Sequence, residues 1–153
     1  VTLVLQQPND LNRQIADLTE RSELTDLVYR LGAALDERRF EDLRTIYSDQ
    51  ARFEFSDNPE IGDLDSAIAN AEKMASHFEH THHVITNPII ELNGDSATIR
   101  TNLVATHVFR NTRPGEHYDA GMVYRFTAVK TAAGWRLSHV KLQRIWSNGR
   151  WDA

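Results

Sequence analysis

Proton transfer is the chemistry this chain is equipped for: it has seven histidines, an aspartate at the end of a helical stripe, and no cysteine. His107 lies between Ala105 and Phe109 on the apolar side of an alternating run, so its imidazole points to the interior. There it is either a hydrogen-bonded core residue or a titratable member of a site. Asp36 closes the helical stripe, and Tyr29 precedes it by seven residues on roughly the same side. A carboxylate at a helix C-terminus faces the negative end of the dipole. Burial also opposes its charge, so its pKa rises unless a cation compensates. The alternative is a solvated carboxylate opening the turn Asp36-Glu37-Arg38-Arg39. An Asp that holds a His in one tautomer makes a general base without any cofactor, and that pairing is the chemistry to look for.

Four histidines, His77, His80, His82 and His83, crowd together, which raises the question of a metal. Successive strand residues point to opposite faces, so His82 and His83 cannot share one ion on a regular strand. No HExxH spacing occurs and no thiolate ligand exists, so no metal is expected. Lack of cysteine also excludes disulfides, thiol nucleophiles and iron–sulfur clusters. No Gly-x-Ser-x-Gly elbow, Walker A loop or Gly-x-Gly-x-x-Gly loop is present. The tryptophans Trp135, Trp146 and Trp151 read as core and interface packing.

Seventeen Lys+Arg against 22 Asp+Glu give a net charge of −5, and 41% of residues are hydrophobic, the balance of a globular domain. A chain this long buries roughly 70% of its unfolded surface in one core, so a single domain over residues 1–153 is expected. The basic residues are scattered (Arg38, Arg39, Arg110, Arg113, Lys141, Arg144, Arg150) rather than clustered, which argues against nucleic acid as a partner. No run approaches the ~18 apolar residues of a membrane span. Val1–Leu5 lacks the basic leader of a signal peptide, so the expected location is the cytoplasm with no membrane partner.

The elements that must position these side chains are readable from periodicity. Leu11, Ile15 and Leu18 mark one helical segment, capped by Asn9 or Asp10. From Ser22 a second stripe carries Leu24, Leu27, Val28, Leu31 and Leu35 to Arg38. A helical turn with Leu43, Ile46 and Tyr47 precedes a strand over Ala51–Phe55. Asn58-Pro59 and Gly62 mark a loop, and Ile68, Ala71, Ala75 and Phe78 a further helix opened by Asp63, Asp65 or Ser66. Then the period becomes two. Strands cover Thr81–Ile85 and Ile89–Leu92, and Asn93-Gly94 is a hairpin turn. The next strand puts Ala97, Ile99, Leu103, Ala105, His107 and Phe109 on one face. After a turn at Pro114-Gly115, Tyr118, Ala120, Met122, Tyr124, Phe126 and Ala128 share a face, and a last strand runs Trp135–Trp146. Helices followed by long antiparallel strands make an α+β fold. Such long strands imply a curled sheet whose concave side the helices cover, leaving a pocket.

Three stretches carry a family resemblance: Leu27-Val28-Tyr29-Arg30-Leu31-Gly32-Ala33-Ala34-Leu35-Asp36, Thr81-His82-His83-Val84-Ile85-Thr86-Asn87, and Gly134-Trp135-Arg136-Leu137. In their order and separation the chain resembles, from Ser22 to Gly149, the SnoaL-like branch of the nuclear transport factor 2-like superfamily. That resemblance implies a cone-shaped α+β barrel with N-terminal helices packed on a strongly curved, mainly antiparallel sheet. It also implies a ligand cavity, dimers or trimers, and no cofactor. Within the superfamily the chain is similar to scytalone dehydratase, whose catalytic Asp and two His fall on Asp36, His83 and His107. It departs from that enzyme at Leu35 and Phe55, where tyrosines are expected, and at Ala120 and Met122, where a Ser and an Asn are. It is also similar to hexachlorocyclohexane dehydrochlorinase, whose Asp–His pair falls on Asp36 and His83, but Leu31 and Val140 replace its assisting Lys and Arg.

The resemblance thus implies a lyase or isomerase, dehydratase-like, acting on a small hydrophobic carbonyl or hydroxyl compound. His83 would be the base, Asp36 its orienter, and His107 a donor together with Tyr29 or another cavity tyrosine. Phe53, Phe55, Leu103, Met122, Tyr124 and Phe126 are the candidate substrate-binding residues, unless they merely fill the core. Polyketide cyclases share the fold, and so do binding and assembly modules with no catalysis, so both remain alternatives. An outer sheet face carrying Val104, Val108, Val123, Val140 and Leu142 leads to the expectation of a homodimer, with a trimer also allowed.

Overall fold

A computed structural model describes residues 8–56, 62–110 and 116–151. The Val1–Leu5 opening, the Asn58-Pro59 turn, Arg113 and the Pro114-Gly115 turn lie outside the described residues. The elements are α1 (Pro8–Asp36), a 3-10 turn at Phe40–Asp42, α2 (Leu43–Ile46), β1 (Tyr47–Phe55), α3 (Leu64–Ser76), β2 (Phe78–Asn93), β3 (Ser96–Phe109), β4 (His117–Thr131) and β5 (Gly134–Asn148). The strands form one sheet in the order β1-β5-β4-β3-β2; β1 runs parallel to β5 and every other pair is antiparallel. The α+β class is as expected. The sheet itself is not closed into a barrel: β1 and β2 are its edges. No helix among the described residues is long and apolar enough to cross a membrane.

The two expected N-terminal helical segments are one helix. No Gly or Pro interrupts residues 9–31. The hydroxyls of Thr19 and Thr25, which could have capped a break, donate instead to the carbonyls of Ile15 (2.9 Å) and Arg21 (2.8 Å) one turn back. Leu24, Leu27, Val28 and Leu31 are buried as the stripe predicts, whereas Leu11, Ile15 and Leu18 are exposed among the described residues. Helix α1 ends in a Schellman turn. Arg39 N–H reaches the Ala34 carbonyl (2.8 Å), Arg38 N–H that of Leu35 (3.3 Å), and Arg38 takes the left-handed conformation at φ 58°. Helix α3 opens on Asp63, whose carboxylate accepts from the Ser66 N–H at 2.8 Å.

An edge strand needs partners for its outward backbone groups, and α1 supplies them to β2. Arg21 donates to the Ile90 carbonyl (2.6 Å), Arg38 to those of Phe78 (2.8 Å) and Glu79 (3.1 Å), and Asp36 accepts from the His83 N–H (2.8 Å). Gly32 permits the close approach: a Cβ there would lie 3.2 Å from Ile85 Cδ1 and 3.5 Å from the His83 carbonyl. The helix is therefore pinned to the strand where Asp36 meets His83.

Register shifts decide which strand residues face the helices. In β2 the shift at Asn87-Pro88 moves the inward set from Thr81, His83 and Ile85 to Ile90 and Leu92; Asn87 is left-handed there, at φ 56°. In β5 the partners jump from Ala128–Leu137 to Thr127–His139, so Ser138 is the extra residue. Val140 and Leu142 consequently turn inward, Val140 into the core and Leu142 to the cavity, contrary to the outer-face expectation. A second jump, from Met122–Arg144 to Gly121–Trp146, keeps Arg144 inward and throws Trp146 to the outer face. There its indole lies where a Gly121 Cβ would be, 2.0 Å away. Phe78, expected at a helix end, instead begins β2 and is fully buried.

Candidate active site

Between the inner sheet face and the helices lies a cavity of about 520 Å³, the size of small-molecule sites. Its walls are apolar over most of their extent: Leu31 and Leu35 from α1, Phe53 and Phe55 from β1, Met74 from α3, and Met122 and Leu142 from the sheet. At one end stand the groups that can exchange protons, Thr81, His83, His107, Tyr118 and Arg144, closed by Trp151.

Asp36 and His83 meet there as a hydrogen-bonded dyad. Asp36 Oδ1 lies 2.6 Å from His83 Nδ1 and accepts from the Thr81 hydroxyl at 3.1 Å, while Oδ2 accepts the His83 backbone N–H. A carboxylate only accepts, so the neutral His83 ring carries its proton on Nδ1 and leaves the Nε2 lone pair free to act as a base. The side chains retain only 12% (His83) and 21% (Asp36) of their accessible surface. Burial pushes the Asp36 carboxyl up, but the bonds from the His83 ring and backbone, the His83 charge and the Thr81 hydroxyl more than offset it. Its pKa is held below the ordinary value: His83 and the donors around the carboxylate supply the compensation without which burial would raise it. Asp36 does not itself line the main cavity; it touches a shallow depression on the other side and reaches the cavity through His83.

His107 faces His83, with ring centroids 6.0 Å apart, and sits against Phe78 (4.7 Å). Burial, and next the neighbouring His83, push its pKa down, so it is neutral where an ordinary histidine begins to charge. Its Nδ1 lies 3.3 Å from the Tyr118 carbonyl. A carbonyl only accepts, so the neutral ring donates through Nδ1 and keeps Nε2 as an acceptor.

Tyr29 is not in this assembly. It is 47% exposed and borders the shallow depression with Glu37, His82 and Val84. The cavity tyrosines are Tyr47, Tyr118 and Tyr124. Burial raises Tyr47 well above the ordinary tyrosine range and Tyr124 to about 12, so both keep their protons. Of the candidate substrate-binding residues, Phe53, Phe55, Met122 and Tyr124 line the cavity. Leu103 and Phe126 lie beneath it, 1% and 3% exposed, as core. His82 is exposed and His83 inward, the opposite facing that strand geometry requires. Trp135 is core as expected, whereas Trp151 packs on His107 (6.0 Å) and Tyr118 (4.9 Å).

Thr81, Tyr118, Arg144 and Trp151 were not singled out by the sequence. Thr81 was findable, since it is two residues from His83 and shares its face. Arg144 was not, because the register shifts of β5 decide where it points.

A family model described as a SnoaL-like domain matches residues 16–141. An uncharacterised protein of Mycobacterium tuberculosis is 26% identical over 127 residues, 80% of this chain and 84% of that protein. Among solved structures, a Kribbella flavida protein aligns with a TM-score of 0.79 at 28% identity, covering 86% of this chain and 95% of that one. A Novosphingobium aromaticivorans protein provisionally named a scytalone dehydratase gives 0.81 at 18% identity, covering 92% and 93%. A hexachlorocyclohexane dehydrochlorinase from Novosphingobium barchaimii gives 0.78 at 14%, covering 92% and 96%. At these identities the last two structures share the fold.

Proposed function

The chain belongs to the SnoaL-like domain family, and we propose that its cavity performs acid–base chemistry of the lyase or isomerase type, dehydratase-like, on a small hydrophobic carbonyl or hydroxyl compound. This reading is carried by the 2.6 Å contact between Asp36 Oδ1 and His83 Nδ1 at the wall of a mostly apolar cavity. His83 Nε2 takes a proton from the carbon beside the substrate carbonyl. The C–H electron pair becomes a C=C bond, and the carbonyl π pair moves onto oxygen. In a β-hydroxy ketone, returning the proton to the hydroxyl as the oxygen pair re-forms C=O expels water and leaves an enone; in a β,γ-unsaturated ketone, returning it to the γ-carbon as C=O re-forms shifts the double bond into conjugation. Either way His83 ends neutral. Asp36 is the positioning residue: it keeps the ring tautomer and stabilises the imidazolium.

A mostly apolar wall fits an aromatic, terpenoid or polyketide-like skeleton. The test is a panel of β-hydroxy ketones followed by enone absorbance, with Asp36→Asn and His83→Gln beside the parent protein. A positioned base contributes on the order of 10²–10⁴ in rate, and each variant should lose that much. Equal turnover in parent and variants would rule the dyad out. The second reading, a binding module without catalysis, is favoured by Phe55 and Met122, which present apolar surface to the cavity. It predicts ligand retention in all three proteins and turnover in none.

A further inference from the structure

Enolate chemistry needs a donor for the oxygen on which charge develops, and His107 does not supply one in its neutral form. Its Nδ1–H is directed at the Tyr118 carbonyl (3.3 Å), and Nε2 is an acceptor. The two other cavity tyrosines stand apart from the dyad: Tyr47 packs on Phe53 (4.9 Å) and Tyr124 stacks on Phe126 (4.9 Å), in the aromatic end. Tyr118 is different. Its ring lies 5.8 Å from that of His107, which in turn lies 6.0 Å from that of His83. Its side chain is buried, and its hydroxyl oxygen accepts a hydrogen bond from Arg144 Nη1 at 2.7 Å. A phenol oxygen that accepts from a guanidinium has its own proton aimed elsewhere, and the cationic partner strengthens it as a donor. The register shift at Ser138 is what turns Arg144, with Val140 and Leu142, toward the inner face of the sheet.

We propose that Tyr118, held and polarised by Arg144, is the oxyanion donor of this cavity, and that the site takes compounds whose carbonyl becomes an enolate. The assignment rests on the general-base reading of His83. Tyr118 lends a hydrogen bond to the enolate oxygen and keeps its proton, so the proton removed by His83 is the only one transferred. Arg144 acts through Tyr118 and is a positioning residue. Donors aimed where charge appears act on the transition state more than on the neutral ground state.

The test uses 4-nitrophenol, whose phenolate mimics an enolate, and 4-nitroanisole, its uncharged counterpart, titrated by absorbance and by calorimetry. The parent protein should bind the phenolate in preference to the anisole. Tyr118→Phe should weaken phenolate binding at least tenfold and leave 4-nitroanisole within about twofold; Arg144→Met should shift the same selectivity in the same direction by a smaller factor. A merely structural role for either residue would weaken both ligands together. The proposal is overturned if the parent protein shows no preference for the phenolate, or if Tyr118→Phe binds it as tightly as the parent. Because no turnover is involved, failure of the base reading leaves this result unaffected, and failure here leaves the Asp36–His83 rate effects standing.

Discussion

Replacing Asp36 by Asn should invert the His83 tautomer. Asp36 uses both oxygens: Oδ2 for the His83 backbone N–H at 2.8 Å, and Oδ1 for the ring Nδ1 at 2.6 Å and Thr81 at 3.1 Å. An Asn has one acceptor and one donor group. If its oxygen faced the ring, its amide would meet the backbone N–H donor to donor, leaving a part-buried N–H unsatisfied at a cost of about 1–3 kcal/mol. The favoured orientation therefore keeps the backbone bond and turns the amide NH₂ to the ring. His83 Nδ1 must then accept, and the proton moves to Nε2, where the base should be. A charge-assisted bond of about 1.5–3 kcal/mol becomes a neutral one of about 0.5–1.5, so the stability loss is about 1–2 kcal/mol. For a domain this size that lowers Tm by roughly 2–8 °C. Long-range ¹H–¹⁵N spectra of the histidine rings read the tautomer directly. The expected result is Nδ1–H in the parent protein and Nε2–H in Asp36→Asn, with the fold intact. An Nε2–H ring in the parent, or an Nδ1–H ring in the variant, would refute the reasoning.

Acid should erode stability in two steps. His107 is held below the ordinary 6.5, so the unfolded chain binds its proton first and stability falls as pH drops below about that value. Asp36 is held below 3.8 and adds a further loss below it. His107→Phe should remove the upper step from a urea-midpoint profile; persistence of that step would contradict the assignment. Thr101 is fully buried opposite the β2 register shift, and its hydroxyl has no hydrogen-bond partner among the described residues. Thr101→Val should therefore stabilise by about 1 kcal/mol, whereas a loss in urea denaturation would mean the hydroxyl is satisfied. Across the outer face, Val84, Val104, Gly121 and Trp146 form one cross-strand row with Val84, Val104 and Trp146 exposed. This row predicts a homodimer, and sedimentation at micromolar concentration giving a mass near 17.5 kDa would contradict it.

What could be read from the sequence was whatever obeys a regular period. The stripe Leu24–Leu35 gave the buried face of α1 and the end at which Asp36 sits, and two-residue alternation put His107 inward. Alternation also set His82 and His83 on opposite faces, though choosing His83 as the inward one came from family resemblance. Periodicity fails where a strand gains a residue. Ser138 reverses the facing of β5, so plain alternation sets Val140 and Leu142 on the outer face and gives no place to Arg144. Spacing leaves the direction of the Asp36 pKa open for a related reason: the N–H of His83, a long-range partner, is invisible until α1 is laid against β2. Tyr29 shows the limit of helical spacing. It shares a side with Asp36, but that side is the one by which Asp36 faces the shallow depression and not the cavity.

The central claim is that His83, oriented by Asp36, removes a proton from carbon in this cavity. Its most direct measurement is deuterium uptake: enolisable ketones of one and two rings incubated in D₂O with the protein, with loss of the α-proton signal followed by NMR. Exchange should be faster than in buffer alone and cut by about 10² or more in His83→Gln and in Asp36→Asn. Exchange at the buffer rate with ketone demonstrably bound, or exchange equally fast in both variants, would contradict it.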